Sequence, residues 1–171
     1  AARALGKIGT EAKLEATAIV PPLIEALKDS DPDVRRSAAE ALGRIGSPVV
    51  PDLSKALQDE SVAVRAAAAE ALGQIGADAK EAVPNLIEKL QDGDWRVRSS
   101  VARSLGKIGS EAKLEAQSVV PPLIATLKDK DPEVRRAAAE VLVKIGPEAV
   151  PGLIAALQDE QPAVRAGVAW A

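Results

Sequence analysis

The sequence contains no histidine, cysteine, methionine, tyrosine or phenylalanine, and only two tryptophans among its 171 residues. Without histidine and cysteine there is no soft-metal site, no cysteine nucleophile and no disulfide. Histidine is also the side chain that most often acts as a general base near neutral pH. The scarcity of aromatic rings disfavours the stacking of single-stranded nucleic acid. These absences predict a non-catalytic binding protein that needs no cofactor and no metal.

Net charge and hydropathy exclude some classes of binding partner. The formal net charge is -3 and the isoelectric point is near 5.2, so no global attraction to nucleic acid or to acidic membranes is expected. No apolar run reaches the length of a membrane span, and the N-terminus shows no signal-peptide pattern. Together with the missing cysteine, this predicts a cytoplasmic protein whose partner is another protein or a peptide.

An internal repeat dominates the chain. Five segments end in Val-Arg, with their arginines at 35, 65, 98, 135 and 165, so that the spacings are 30, 33, 37 and 30 residues. Each complete copy continues into small residues and a Leu-x-x-Ile-Gly ending. Residues 1–71 also match residues 101–171 without a gap, with 46 identities. A block of three units has therefore been duplicated whole.

Each unit has the pattern of two helices. The first helix is expected to carry proline in its first turn, as in Val20-Pro21-Pro22, where the missing N–H costs nothing. Asp31 is placed to cap the second helix and Pro32 to occupy its first position. Gly46 is placed to end that helix. Neither helix can bury its apolar stripe alone, so stacked pairs and a solenoid are predicted.

Two-helix units with an early proline, an aspartate at the turn and Val-Arg in the second helix resemble HEAT repeats. The short HEAT-like repeats of phycobilisome lyases are most similar, and residues 82–90 and 129–146 show their pattern almost whole, although Val143 replaces a glycine. The resemblance implies an all-α fold, a right-handed α-solenoid or superhelix whose second helices line the concave face. It implies little about function, because this repeat is a general framework.

The expected domain organisation is one array over residues 1–171, belonging to a longer solenoid. Two units carry an insertion of helix-favouring composition, at residues 11–16 and 111–116, interpreted as an extra turn before the first helix. The units are approximately 1–9 (partial), 10–46, 47–76, 77–109, 110–146 and 147–171 (partial). Array ends without polar capping units expose apolar surface, which predicts self-association.

The repeated arginine and the turn aspartates suggest a structural role. One arginine falls at the start of every second helix, and the aspartate of a neighbouring unit is expected at the same level. HEAT-like families use such a ladder to tie units together, and the alternative is an anion-binding row. The ladder residues are Asp29, Arg35, Asp59, Arg65, Asp92, Arg98, Asp129, Arg135, Asp159 and Arg165.

The exposed side of the second helices holds the better candidates for partner recognition, although most of its charges also suit a solvated face. The third unit differs from its sisters because Trp95 replaces proline and arginines surround it, which favours an acidic partner near Arg96 and Arg103. The alternative is that Trp95 only fills a gap between neighbouring turns. Trp170 either contacts a partner or packs against a neighbouring repeat. The candidate partner-binding residues are Trp95, Arg96, Ser99, Arg103, Lys107, Arg36, Glu40, Arg136, Glu140 and Trp170.

Three functions fit these observations. The first is a non-catalytic scaffold that binds a protein or peptide on the concave face. The second is an accessory or chaperone-like module of a bilin lyase or another multi-domain enzyme. The third is a structural or engineered array, which the drift of the framework itself, from Gly43 to Val143, disfavours relative to natural duplication.

Overall fold

The computed structural model describes residues 16–112 and 116–170 as a row of α-helices. Over these residues there are ten α-helices and three short 3₁₀ helices, and no strand. The α-helices, in chain order, are α1 Ala16–Ala26, α2 Pro32–Ile45, α3 Val50–Ala56, α4 Val62–Ile75, α5 Val83–Lys89, α6 Trp95–Glu111, α7 Ala116–Thr126, α8 Pro132–Ile145, α9 Val150–Ala156 and α10 Pro162–Trp170. The 3₁₀ helices Ser47–Val49, Gly76–Ala82 and Gly146–Ala149 precede α3, α5 and α9.

Local sequence signals define the second helices, which are the even-numbered ones. Asp31, Asp94 and Asp131 are N-caps whose carboxylates accept the N–H of the residue two positions on. Proline occupies the first position of α2 and α8, as the sequence predicts. Gly46, Gly76 and Gly146 follow the helix ends with φ between 68° and 84°, a backbone region that favours glycine.

The first helices, which are the odd-numbered ones, differ in how they begin. In α3, α5 and α9 the proline lies in the first two helical positions, as expected. In α1 and α7, however, the helix starts five residues before the first proline, so Pro21–Pro22 and Pro121–Pro122 lie inside it. The prediction that Pro21 stands in the first turn is therefore wrong. The insertions at 11–16 and 111–116 fall mostly outside the described residues.

Stacking of the second helices forms the centre of the array. Each of α2, α4, α6 and α8 packs against the next second helix, and the first helices pack alongside. The core consists of leucine, valine, isoleucine and alanine, with Leu42, Leu72, Leu105 and Leu142 fully buried at equivalent positions. Glycine allows the closest approaches: a Cβ on Gly73 would lie 2.5 Å from Ser104 Oγ, and one on Gly106 2.6 Å from both methyl carbons of Val141. The chain is thus an α-solenoid.

Candidate functional site

The repeated arginine first closes its own inter-helix turn. In all five units its Nη1 donates to the carbonyl oxygen of the turn aspartate, at 2.6 to 2.9 Å. The aspartate carboxylate accepts the N–H two residues on, at 2.8 to 3.0 Å. These bonds satisfy backbone groups that a turn between two helices would otherwise leave unpaired.

At two inter-repeat interfaces the arginine also reaches the next unit. Arg65 donates from Nε and Nη2 to the two carboxylate oxygens of Asp92, at 2.8 and 2.9 Å. Arg98 holds Asp129 in the same bidentate way, at 2.6 and 2.8 Å. Both pairs are largely shielded from water, with Arg98 only 4% exposed. Such two-point contacts fix both distance and orientation between units.

At the two outer interfaces a lysine takes the arginine's place. Lys28 lies 3.7 Å from Asp59, and Lys128 lies 2.7 Å from Asp159. Arg35 and Arg135, which were expected to pair with these aspartates, bond only to backbone oxygens of their own turns among the described residues. Every described interface therefore has an ion pair to its turn aspartate, but the cation differs.

The residue seven positions before each arginine accounts for the difference. It is lysine at 28 and 128, and glutamine at 58 and 91. Where a lysine is present, its ammonium group forms an ion pair with the turn aspartate of the next unit. Where glutamine stands there, the aspartate carboxylate accepts the arginine. This lysine–glutamine choice was missed in the sequence, although it follows the 100-residue period.

These contacts shift the pKa values of Asp92 and Asp129, which are half-buried. Burial alone would raise the pKa of Asp92 and Asp129, but bonds from Arg65 and Arg98 and from backbone N–H groups outweigh it, so both pKa values lie below the ordinary value. Bonding to these carboxylates also outweighs burial at Arg65 and Arg98, so their pKa is raised. The four groups stay charged at neutral pH and act as structural pairs.

A groove crosses the second helices of the first three units. This second-helix groove has a volume of about 390 Å³ and alanines in its floor. Trp95, 42% exposed, begins α6 at one wall, at the position that proline occupies in α2 and α8. Its lining is formed by Pro32, Arg35, Arg36, Val62, Ala63, Ala66, Ala67, Glu70, Trp95, Arg96, Ser99, Ser100 and Arg103.

The charges at the groove are not equally available. Asp94 accepts from Nε and Nη2 of Arg96 at 3.0 and 2.9 Å, and these bonds lower the pKa of Asp94 to about 2. Arg36 is paired with Asp33 at 2.5 Å. Arg103 is exposed, and within residues 16–112 and 116–170 no acidic side chain pairs with it. Arg103 is therefore the cation most open to a ligand at this wall.

Two other predicted contact residues of the third unit occupy different places. Ser99 is 3% exposed and its hydroxyl donates to the carbonyl oxygen of Arg96 at 3.2 Å, so it forms the groove floor and offers little surface. Lys107 is exposed one turn beyond Arg103 and lies outside the groove lining. Glu70, an exposed position of the second helix α4, lines the groove and accepts from the Ser100 hydroxyl at 3.1 Å.

The remaining candidates are distributed over the array. Glu40 lies 3.7 Å from Arg44 on α2. Arg136 pairs with Glu133 and lies 3.9 Å from Glu140, and both Arg136 and Glu140 line a second groove of about 540 Å³ between α8 and α10. Trp170 ends α10, but its side chain lies outside the described residues. The structure thus brings Trp95, Arg96, Arg103 and Arg36 together and leaves Arg136 and Glu140 in a separate groove.

The described part of the chain offers neither a metal site nor a membrane-spanning helix. Within it, no group of three or more acidic side chains is placed to hold a metal ion. None of its helices combines the length and the apolar character needed to cross a bilayer.

Comparisons with known proteins fit this architecture. A family model described as HEAT repeats matches residues 20–80, 50–117 and 120–171, and one described as PBS lyase HEAT-like repeat matches residues 1–29. A search of curated protein sequences finds no match.

Several solved structures share the fold. One is in the complex of CpcE and CpcF of phycocyanin lyase from Nostoc sp. PCC7120, with a TM-score of 0.73 and 23% identity over 90% of this chain and 98% of that one. A designed armadillo repeat protein in complex with the peptide (KR)4 has a TM-score of 0.54 and 20% identity over 98% and 88%. Yeast importin-beta (Kap95p) has a TM-score of 0.62 and 20% identity over 90% and 23%. At these identities the likeness shows the fold.

Proposed function

The chain belongs to the HEAT-repeat family, and we propose that it is a non-catalytic scaffold that binds a protein segment in the second-helix groove. In this proposal the second helices form the concave face of the solenoid. The groove receives an extended or helical segment of the partner that carries acidic residues. A cytoplasmic location stays a prediction.

The observation that carries the proposal is one groove that is lined by the exposed Trp95, by alanines and by Arg103, which has no acidic partner among the described residues. An exposed indole and an unpaired guanidinium are the side-chain types most often found at interaction hot spots. The alanine floor leaves room for the side chains of a partner. Removal of Trp95 and Arg103 from water on binding provides apolar contact and a charge contact at the same place.

The non-catalytic part of the proposal rests on the chemistry of the same surface. The groove is lined by arginines, one glutamate, two serines and apolar side chains. Glu70 and Ser100 are bonded to each other, and Asp94 is bonded to Arg96. A site of this composition recognises charge and shape, and it lacks a base matched to neutral pH.

Fluorescence of Trp95 tests the proposal directly. In a Trp170→Phe background Trp95 is the only indole, so its emission reports on the groove. The probes are a short peptide rich in Glu and Leu and the same peptide with Lys in place of Glu. The acidic peptide is expected to change the emission and to bind more tightly than the basic one. Arg103 has no acidic partner among the described residues, so it attracts glutamate and repels lysine.

Three variants sharpen this test. Arg103→Glu is expected to weaken the acidic peptide by about tenfold, because the contact becomes repulsive. Asp94→Asn keeps a good helix cap but releases Arg96, so binding should strengthen severalfold. The control Lys80→Glu makes the same charge change on an exposed residue away from the groove. Equal effects of Arg103→Glu and Lys80→Glu, or no preference between the peptides, would contradict the proposal.

A second function is an accessory module of a bilin lyase. It is favoured by the structural likeness to the phycocyanin lyase complex, which extends over 98% of the chain compared. Mixing the protein with a free bilin and recording its absorbance and fluorescence tests this function. A spectral change would support it, and unchanged spectra would remove it.

We also propose that the protein self-associates through the exposed apolar surface of α9, which is the first helix of the fifth unit. Val150, Ile154 and Leu157 are 46%, 59% and 42% exposed there. Apolar surface of this kind in a repeat array is removed from water by a neighbouring molecule unless a capping unit covers it.

A further inference from the structure

Arg35 keeps two unused hydrogen-bond donors, although the same donors are occupied in the arginines of the next two units. In Arg65 and Arg98, Nε and Nη2 together hold both carboxylate oxygens of a turn aspartate. In Arg35 only Nη1 is bonded, to the carbonyl oxygens of Asp29 and Ser30, at 2.6 and 2.8 Å. Nε and Nη2 of Arg35, which we call the Arg35 fork, have no partner in the described part of the chain.

Lys28 explains why the Arg35 fork is unoccupied. The turn aspartate of the next unit is Asp59, and its carboxylate lies 3.7 Å from the Lys28 ammonium group. In the two units where the arginine holds the aspartate, the position of this lysine is taken by an uncharged glutamine, Gln58 or Gln91. The lysine therefore takes the carboxylate that the arginine would otherwise hold.

The second copy of the duplicated block repeats this arrangement. Lys128 pairs with Asp159 at 2.7 Å, and Nη1 of Arg135 donates to the carbonyl oxygens of Asp129 and Lys130, at 2.7 and 3.0 Å. Nε and Nη2 of Arg135 likewise have no partner among the described residues. A lysine that pairs with the aspartate and an arginine with two unused donors thus occur together twice.

The two arginines with unused donors are the ones that line grooves. Arg35 lines the second-helix groove from α2, and Arg135 lines the groove between α8 and α10. Arg65 and Arg98, whose donors hold aspartates, line neither groove. Arg35 is also half-buried, so a charge contact to it is less screened by water than a contact on an open surface.

The geometry of the fork indicates which group it binds. Two parallel N–H donors of a planar guanidinium match the two oxygens of a carboxylate. The protein uses this match twice internally, because Arg65 and Arg98 hold their aspartates at 2.6 to 2.9 Å. The Nη1 bonds to the turn carbonyls are the same in Arg35 and Arg65, so the Arg35 guanidinium is oriented before a ligand arrives.

We infer that the Arg35 fork binds a carboxylate of the partner protein, and that Lys28 permits this by holding Asp59. The inference rests on the proposed function and deepens it, because it adds a second acidic residue to the partner segment. One carboxylate meets Arg103 on α6, and the other meets Arg35 on α2, across the alanines of α4. The residue seven positions before the repeated arginine thus decides whether that arginine joins two units or faces a partner.

Lys28→Gln tests the inference without changing a residue of the groove. Glutamine at position 28 reproduces the units in which the arginine holds the aspartate, so Asp59 should capture the Arg35 fork. The fluorescence anisotropy of a labelled peptide rich in Glu and Leu is then expected to show binding that is weaker by about tenfold. The control Lys55→Gln removes the same charge from an exposed lysine of α3 and should leave binding nearly unchanged.

An Asp59→Asn background separates capture of the fork from loss of a positive charge. Without the Asp59 carboxylate nothing captures the fork, so Lys28→Gln should no longer weaken the peptide. The asparagine side chain can still accept the N–H of Ser61, as Asp59 does at 2.9 Å. Urea denaturation gives a second readout. Lys28→Gln exchanges a pair at 3.7 Å for a two-point contact, so the denaturation midpoint should not fall.

Arg35→Lys tests the fork itself. Lysine keeps the positive charge and a donor for the turn carbonyls, but it lacks the planar pair of donors that matches a carboxylate. Binding of the acidic peptide should therefore weaken by about fivefold or more. Far-ultraviolet circular dichroism shows whether each variant keeps its helix content.

The outcomes separate this inference from the proposed function. Unchanged binding in Lys28→Gln or in Arg35→Lys overturns the role of the Arg35 fork, and the groove stands as the site if Arg103→Glu still weakens the peptide. A loss in Lys28→Gln that equals the loss in Lys55→Gln, or that persists with Asp59→Asn, also overturns it, because the cause is then the charge alone. An acidic peptide that does not bind the unsubstituted protein overturns both proposals.

Discussion

At the scale of single residues, Arg98 shows how one side chain joins two units. Its guanidinium donates to the carbonyl oxygen of Asp92 in its own turn and to both oxygens of Asp129 in the next. Arg98 is also the one charged residue that is buried within the described ranges. Each of the three guanidinium nitrogens donates one hydrogen bond to a fixed acceptor, and removal of one partner from such a buried charge pair is strongly penalised.

Arg98→Ala is therefore expected to lower the free energy of unfolding by about 3 to 5 kcal/mol. Lys128→Ala removes the equivalent pair of the next interface, but the Lys128 side chain is 50% exposed, so a loss of less than about 1 kcal/mol is expected. Urea denaturation followed by circular dichroism compares the two. Similar losses for both variants would contradict a role of burial.

The half-buried aspartates of the two central interfaces make stability depend on pH. Burial raises the pKa of Asp129. The hydrogen bonds from Arg98 and from the N–H of Asp131 lower it by more than burial raises it, so the pKa in the folded state lies below the unfolded value. A depressed pKa gives stability that is present above the unfolded pKa, about 3.9, and is lost as the pH falls through the folded pKa.

The free energy of unfolding is therefore expected to fall as the pH drops below about 4. Asp129→Asn should be less stable at neutral pH and should lose less on acidification. Asp78→Asn, at an exposed position, is the control. Urea titrations at neutral and acidic pH measure both slopes, and parallel slopes for Asp129→Asn and the unsubstituted protein would contradict this assignment.

At the scale of elements, α6 contains two glycines with opposite surroundings. A Cβ on Gly106 would lie 2.6 Å from both Val141 methyl carbons, closer than atoms pack. A Cβ on Gly109 would meet Val119 at 3.6 Å, an ordinary contact. Gly106 thus sets how closely α6 and α8 approach, and Gly109 does not.

Alanine substitution separates the two positions. Gly109→Ala is expected to stabilise the protein by up to about 1 kcal/mol, because alanine favours the helix interior. Gly106→Ala gains the same helix propensity but forces α6 and α8 apart, at a cost of about 1 to 3 kcal/mol, so a net loss is expected. Thermal unfolding of the two variants measures this difference, and a higher midpoint for Gly106→Ala would contradict the packing argument.

Comparison of the helices with the sequence shows which sequence signals suffice to predict where a helix begins. Asp31 and Pro32 predict the start of α2 because a cap and a first-turn proline act within one turn of chain. Pro21 does not mark the start of α1, because proline is only compatible with a helix start and the five residues upstream of it also adopt the helix. Tandem repetition then extends each correct local prediction along the array and predicts the solenoid.

The candidate site is less predictable because it depends on distances between units. The sequence predicts one arginine per unit, but whether its guanidinium or a lysine reaches the next aspartate depends on packing. Arg96 appeared to be an available cation, yet Asp94 two positions earlier holds it. The replacement of proline by Trp95 does not by itself distinguish an exposed ring from one that fills a gap between turns, and the sequence pattern does not predict that Ser99 is 3% exposed.

At the scale of the whole molecule, stability is a sum over neighbouring units, so it must fall toward an uncovered face. Helices α3 and α9 provide a matched comparison, since residues 50–56 and 150–156 are related by the 100-residue repeat and have the same length. Leu53 in α3 and Leu57 at its C-cap are fully buried, whereas Leu153 in α9 is half-buried and Leu157 at its C-cap is 42% exposed.

Native-state hydrogen exchange is therefore expected to be faster in α9 than in α3 by about tenfold to a hundredfold, because less apolar contact is lost when α9 opens. The measurement is made on dilute protein by mass spectrometry of the peptides that contain the two helices. Equal protection would contradict the additive description. Raising the protein concentration should then slow exchange in α9 while leaving α3 unchanged, because the proposed self-association covers the exposed apolar side chains of α9 and adds its binding free energy to the opening of that helix alone.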